Sequence, residues 1–482
     1  MPQPRNILVI MSDEHNPRVL GSAGHPVIHT PNLDALAARG TSFSSAYTTC
    51  PVCIPARAGF ACGKYIHQIG FWDNADAYDG SIPSWHHMLR DRGHRVASIG
   101  KLHFRADGED HGFSEEQIPM HIYQEKGDLL GLIRDDMPRR GNSKKMIAMA
   151  GPGESSYTFY DKEICSKAQV WLREKATVPQ DKPWVLFVSF VAPHFPLTAP
   201  PEHYYRYWNR ELPMPKLYAR ELRPKHPYLE DYRNSFCYDD FFESEADVKK
   251  ALSGYFGLVS YLDENVGKVL AALEDTGLAR DTLVMYTSDH GDNLGARGLW
   301  GKSTMYEQIA GVPLILAGPG IPRGRTVDTP VSHVDALPTI LEAAGAPVPH
   351  GFPGVSLHEV ANGATPDRTV LSEYHAMGST TGAYAIRMGK WKYIHYAKYP
   401  SQLFDLERDP DEIDDLAPLP AHAETLAACR AKLYALLDPV EVDRRAKARQ
   451  AELLDANGGR AAVIQRGDFG FTPAPGTAAD FK

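Results

Sequence analysis

Five short apolar runs, separated by helical or loop stretches, constrain this chain more than any other feature of its sequence. They are Asn6–Met11 (NILVIM), Arg95–Ile99 (RVASI), Trp184–Phe190 (WVLFVSF), Thr282–Thr287 (TLVMYT) and Val312–Ala317 (VPLILA). Largely continuous apolar runs are what strands buried on both faces require. Helical patterns lie between them. SWHHMLRDRG, with Gly93 near its end, precedes the second run, and VKKALSGYFGLVSYLDENVGKVLAALEDTG precedes the fourth. Strands alternating with helices predict an α/β fold, a large and mostly parallel sheet between layers of helices. No internal repeat interrupts the pattern.

Composition narrows the class. At 482 residues the chain is too long for one simple core and short for three domains. A net charge of −9 excludes a broad nucleic-acid face but leaves room for a local cationic pocket. Six cysteines at scattered positions do not describe a disulfide scaffold. MPQPRNILVIMSDEHN does not read as a signal peptide, and no run is long enough to span a membrane. The expectation is a cytoplasmic protein with reduced thiols, bound to neither membrane nor nucleic acid.

The residues directly after each run matter more. The first run leads into Ser12, Asp13 and Glu14, the second into Lys101, Leu102 and His103, the third into His194, the fourth into Ser288, Asp289, His290, Gly291 and Asp292. In open α/β sheets, ligands sit beyond the carboxyl ends of the strands, so parallel neighbours would bring these groups together. Asp13, Asp289 and His290, with Glu14, offer hard oxygens and one imidazole, a set suited to Ca²⁺, Mg²⁺ or Mn²⁺. Arg57, Lys101 and Lys302 add positive charge, and His103 and His194 can carry protons. A divalent cation among such groups fits a tetrahedral oxyanion: a sulfate, phosphate or phosphonate ester. Each residue also has an ordinary reading. Asp13 or Glu14 could cap a following helix, a single histidine is more often structural, and Asp73-Asn74 could form a turn.

The nucleophile is the missing part. TTCPVCIPARAGF, residues 48–60, places Cys50 and Cys53 three apart. A redox pair, half of a zinc site and two packed thiols are all compatible with that spacing. Cys53-Ile54-Pro55-Ala56-Arg57 resembles the C-x-P-x-R pattern of the type I sulfatases, within the alkaline phosphatase superfamily. ARAGFACGKY comes next, and GKLHF, VAPHFPL, TSDHGDNLGARGLWGK and GVPLILAGPGI occur in the order typical of that family. RMGKWKYIHY and QLFDLERDPDEIDDLA are similar to its small C-terminal domain. DNADAYDGSIP is similar to choline sulfatases and phosphonate monoester hydrolases.

The resemblance implies a catalytic α/β domain over 1–366, a small antiparallel-sheet and helix domain over 367–440, and a tail over 441–482 that could make an oligomer contact, in a dimer or tetramer. It implies that a formylglycine-generating enzyme converts Cys53 to formylglycine, whose hydrate attacks sulfur or phosphorus. Asp13, Asp289 and His290, with residue 53 and Glu14, would bind Ca²⁺ or Mn²⁺, Mg²⁺ fitting less well. Arg57 would hold the nucleophile, Lys101 and Lys302 the non-bridging oxygens. His103 would be the base, His194 the acid at the leaving group with help from Lys302. Asn74 and His375 would contact substrate. Departures from the pattern include Met377, where choline sulfatases carry an acid, Gly311 in place of a frequent arginine, and a different tail. The expected activity is therefore an arylsulfatase-like hydrolase of small anionic esters, with a phosphonate monoester or phosphodiester hydrolase as the alternative. A binding protein with an unmodified Cys53 is the reading from another class.

Overall fold

The computed structural model describes residues 4–178, 181–468 and 470–479. Among them, eight strands form the main sheet: β1 (Asn6–Asp13), β2 (Gly40–Phe43), β3 (Val96–Lys101), β4 (Glu115–Met120), β5 (Val185–Pro193), β6 (Thr282–Ser288), β7 (Leu314–Ala317) and β8 (Arg325–Val327). Their order across the sheet is β8-β2-β7-β6-β1-β5-β3-β4. The five apolar runs supply β1, β3, β5, β6 and β7. Strand β1 pairs in parallel with β5 and β6, and β3 in parallel with β5 and β4.

The fifth run departs from the parallel expectation, because β7 is antiparallel to both β6 and β2. A parallel neighbour needs a crossover of a dozen or more residues, usually helical. Between β6 and β7 the chain spends its length on loops, with a single 3₁₀ turn, Ala296–Gly298, and the four-residue helix Glu307–Ala310 before β7. It therefore returns alongside β6 in the opposite direction.

Alternation of side chains divides the core between the two faces of the sheet. Ile7, Val9 and Met11 join Phe60, Trp85 and Leu337, from helices Cys53–Cys62, Trp85–Arg90 and Ala336–Ala343. Leu8 and Ile10 join Leu33, Ile164, Trp171 and Val266, from helices Pro31–Ala38, Ser156–Thr177 and Glu245–Asp275. All five β1 residues are fully buried, and each large apolar side chain so placed contributes about 1.5–3 kcal/mol. The 31-residue helix Glu245–Asp275 starts at a capping box, where Ser244 Oγ accepts from Asp247 N at 3.2 Å.

Four further strands, Val370–Tyr374, Ala383–Met388, Trp391–Tyr396 and Gln402–Asp405, form a separate antiparallel meander near the C-terminus. Lys392, 1% exposed, ties this sheet to the larger layer by pairing with Glu307 and Glu412, each at 2.8 Å. The tail over 441–482 packs in part against the larger layer. After helices Pro439–Ala456 and Gly459–Arg466 it folds back to the carboxyl edge of the main sheet. There Phe471 meets Tyr157 and Phe195 edge-on, and Thr472 O accepts from Tyr157 Oη at 2.5 Å. Residues 469 and 480–482 of that predicted tail lie outside the described residues. The aromatic stretch 203–228 is mixed: Tyr204, Tyr207 and Tyr228 are buried, whereas Tyr205, Met214 and Leu222 are exposed. It is the next helix, Pro227–Phe236, that reaches the pocket, through Tyr232 and Phe236.

Candidate active site

Register places the polar strand ends at one level. Asp13 pairs with Pro193, Ser12 with Ser288, and Gly100 with Ser189. Asp13, Lys101, His194 and Asp289 therefore emerge side by side at the carboxyl edge. No helix begins at Asp13 or Glu14; the next starts at Pro31, which removes the capping alternative. Cys53 is the first residue of helix Cys53–Cys62, whose amino end carries positive partial charge. Arg57 sits one turn on, on the same face. Gly63 ends the helix at φ 61°, and a Cβ there would lie 2.6 Å from Leu337.

These elements converge on Cys53, which is 1% exposed. Its Sγ is 3.2 Å from His290 Nε2, 3.5 Å from Asp13 Oδ1 and 3.0 Å from Lys302 Nζ. The ligand atoms of Asp13, Cys53, Asp289 and His290 all lie within 4.8 Å of one another, so the four side chains could hold one cation. Gly291 lets the following loop approach closely, since a Cβ there would meet Gln308 O at 1.9 Å.

The surrounding cations are fixed by geometry. Arg57 donates from Nε to Asp289 Oδ2 and from Nη1 to Lys101 O and Ser189 Oγ, each at 2.8 Å. Its Nη2 stands 3.8 Å from Asp13 Oδ2 without a hydrogen bond. Lys101 pairs directly with Asp13. Burial would raise the Asp13 carboxyl, but Lys101, His194, Arg57 and Lys302 outweigh it and hold it well below its ordinary range. Burial, together with Asp13, pushes the Cys53 thiol up to about 12.

Glu14 takes a different position from the other predicted ligands. It sits at φ 70°, its carboxylate is 3.5 Å from Lys302 Nζ and 3.4 Å from His194 Nε2, and neither oxygen has a hydrogen bond. Burial raises it to about 8, against the opposing pull of Lys302. His194 Nδ1 bonds Phe195 O at 2.6 Å, and its Nε2 meets Lys302 Nζ at 2.9 Å. Burial, then Lys302, lowers the His194 pKa; burial, then Lys101 and Arg57, lowers that of His103.

Two predicted substrate contacts separate. Asn74 lines the cavity and accepts from Ile54 N at 3.3 Å, bracing the start of the Cys53 helix. His375 does not line it: the ring is fully buried against Trp72 and Tyr384, with Glu373 Oε2 3.7 Å away. The next side chain but one, Met377, reaches the cavity instead.

The cavity also holds residues that sequence reasoning missed. Thr472 Oγ1 lies 2.9 Å from His103 Nε2. Arg140 contacts both oxygens of Asp128 at 2.8 Å and Asp468 Oδ1 at 3.2 Å, with Phe236 beneath it. Met146, Phe195, Tyr232, Tyr238 and Phe471 give the outer wall an apolar and aromatic surface. The four-residue spacing of Tyr232 and Phe236 was a readable signal; Arg140, Asp468 and Thr472 carried none.

Comparison with known proteins gives the same outline. Residues 5–346 match the sulfatase family, and residues 295–438 match the C-terminal region of N-sulphoglucosamine sulphohydrolase. The choline-sulfatase of Rhizobium meliloti (strain 1021) is 37% identical over 459 residues, covering 92% of this chain and 89% of its own. Arylsulfatase K of Homo sapiens is 30% identical over 446 residues, covering 86% and 78%. The crystal structure of the phosphonate monoester hydrolase of Agrobacterium radiobacter superposes with a TM-score of 0.74 at 24% identity, over 90% of this chain and 95% of that one, a likeness of fold. Among the described residues no helix is long and apolar enough to cross a membrane. With the family pattern matched from the first strand through the Cys53 helix to the antiparallel sheet, the chain belongs to the sulfatase family of sulfuric ester hydrolases.

Proposed function

We propose that this sulfatase is metal-dependent and arylsulfatase-like, with a formylglycine made from Cys53 by a formylglycine-generating enzyme as its nucleophile. The observation that carries this reading is the placement of Cys53 Sγ within 3.5 Å of Asp13, His290 and Lys302, at the base of the cavity. A thiol held near 12 is a weak nucleophile at neutral pH and a soft partner for hard ligands. The hydrate of an aldehyde supplies an oxygen nucleophile and a second hydroxyl through which sulfate can be expelled.

Asp13, Asp289 and His290 would hold Ca²⁺ or Mn²⁺ with the oxygen of residue 53. Two buried carboxylates and an imidazole beside three cations fit such an ion in charge and ligand type. When bound it would supply Lewis acidity and favour the ionised nucleophile. Arg57 fixes Asp289 and the end of β3, and so the direction from which residue 53 attacks. Lys101 and Lys302 face the non-bridging oxygens. The ester oxygen leaves with a proton from the His194–Lys302 pair, which share a contact of 2.9 Å. His103, aligned by Thr472, takes the proton released as sulfate departs. Glu14, close to both Lys302 and His194, tunes that proton donor; Asn74 presents its amide to a substrate oxygen.

The apolar and aromatic cavity wall accommodates an aryl leaving group, and no free acid among the described residues that line it stands ready for a quaternary ammonium. Of its acids, Asp128 and Asp468 are already paired with Arg140 and Glu14 faces Lys302 and His194, while Met377 adds no charge. A phosphonate monoester carries one negative charge, as a sulfate ester does, so the same cations could receive it. The test combines peptide mass spectrometry with turnover of an aryl sulfate, choline sulfate and an aryl phosphonate monoester. Conversion of Cys53 lowers the peptide mass by roughly 18 Da, and Cys53→Ala should lower aryl sulfate turnover by at least on the order of 10³-fold. An unmodified Cys53 with aryl sulfate turnover intact would sink the nucleophile assignment, and faster turnover of the phosphonate would move the preferred substrate to phosphorus.

A further inference from the structure

A second group of metal-ligand side chains stands apart from the Cys53 cluster, around strand β4. His111, Glu116 and His121 place one ligand atom each within 4.8 Å of one another. His111 is 1% exposed. Its Nδ1 is 3.1 Å from Glu116 Oε1, while Nε2, 3.6 Å from Glu109 Oε2, has no hydrogen bond. Glu109 Oε2 is buried and also unpaired, although Arg105 holds the other oxygen of that carboxylate at 2.6 Å. His121 Nε2 lies 3.8 Å from Glu116 Oε2 and 3.0 Å from Asp107 Oδ1. The two imidazole rings are 5.3 Å apart.

A neutral imidazole has one proton and cannot satisfy carboxylates on both sides. The contacting charges are also unbalanced: Asp79 and Glu109 pair with Arg105, while Asp107, Glu109 and Glu116 face the two imidazoles. A buried donor or acceptor left unpaired costs about 1–3 kcal/mol. A divalent cation would answer both defects, and two imidazoles with one or two carboxylates are the ligand class of Zn²⁺ and its first-row neighbours.

We infer that His111, Glu116 and His121 form a Zn²⁺ site separate from the catalytic cluster, with Glu109 placed to accept from the far ring nitrogen of His111. Its place in the fold suggests what it does. The backbone N–H groups of Leu102 and His103 both donate to Met120 O, at 3.2 and 2.7 Å, and Ile122 N donates to Phe104 O at 3.0 Å. An ion joining His111, Glu116 and His121 would clamp the segment on which His103 stands. Asp107 is 84% exposed in its side chain and can turn towards or away from the ion, so it serves as a gate for exchange.

The test uses full-length protein carrying Asp289→Asn, which weakens the catalytic cluster, after chelation and dialysis. Zn²⁺ content is measured by mass spectrometry, and Co²⁺ is added as an optical probe of tetrahedral coordination. The expected result is retention of about one equivalent of Zn²⁺ per chain, a tetrahedral Co²⁺ absorption band and a Tm raised by Zn²⁺. Adding His121→Ala should remove the equivalent, the band and the Tm response, while adding Asp13→Asn should change none of them. Should the His121 variant fail to fold, Glu116→Gln, at a partly exposed position, replaces it. Absence of bound Zn²⁺ and of any Tm response in the Asp289→Asn protein overturns the inference, as does an unchanged equivalent in the His121 or Glu116 variant.

Discussion

Arg57 shows how a single side chain joins fold and chemistry. Its planar fork reaches Asp289, the carbonyl of Lys101 and Ser189 at once. A lysine has the charge without the geometry. Arg57→Lys should therefore lower kcat about 10- to 100-fold, the usual effect of losing a contact that supports the reacting groups. A kcat near the parent value would remove Arg57 from this role. The strand-end residues were legible because a charged group directly after an apolar run is conspicuous. Glu14 was legible as an acid but not as a partner of Lys302 and His194, because nothing in the sequence records which neighbours its carboxylate meets. His375 and Met377 lie two apart in the loop after strand Val370–Tyr374, where no strand or helix period tells which of the two reaches the cavity.

At the level of elements, helix Ser156–Thr177 positions the segment that carries His194. Asp161 accepts from Val191 N at 2.8 Å and Ala192 N at 2.9 Å. Burial raises its carboxyl from 3.8 to about 7, against those two bonds. The folded protein then keeps a proton between those values that the unfolded chain has lost. Stability from this group is greatest below about pH 4 and declines as pH rises towards 7. Asp161→Asn should flatten that part of the stability profile, measured by urea unfolding at several pH values; a slope equal to the parent's would refute the assignment. The tail makes a second element-scale prediction. Thr472→Val removes the contact to His103 and should lower kcat about 10- to 100-fold, the usual effect of a supporting hydrogen bond, with a smaller change in KM. A change confined to KM would point to substrate contact instead. Strands and helices were readable from periodicity, but a segment with neither period, such as Gly470 to Thr472, gave no indication of where it docks.

Across the whole molecule, the two sheets are held together partly through Lys392. Removing it leaves Glu412 as a buried charge without its cation and takes the ion pair from the half-buried Glu307. Lys392→Met should cost about 3–5 kcal/mol by urea denaturation; a loss below 1 kcal/mol would show that other contacts carry the junction. The layered α/β architecture was legible in five apolar runs, whereas the reversed direction of β7 was not. Direction depends on how the intervening chain returns, and loops such as 289–313 carry no periodicity that records it. The same cross-layer packing leaves Cys53 sealed, 1% exposed beneath residues supplied by the far end of the chain. On the proposed chemistry this makes the order of events in the protein's life decisive. A maturation enzyme would have to reach Cys53 before the fold closes over it. Chains that fold early are locked as thiols, so the active fraction of any preparation is a record of a race between folding and modification, and slowing folding during expression should raise it.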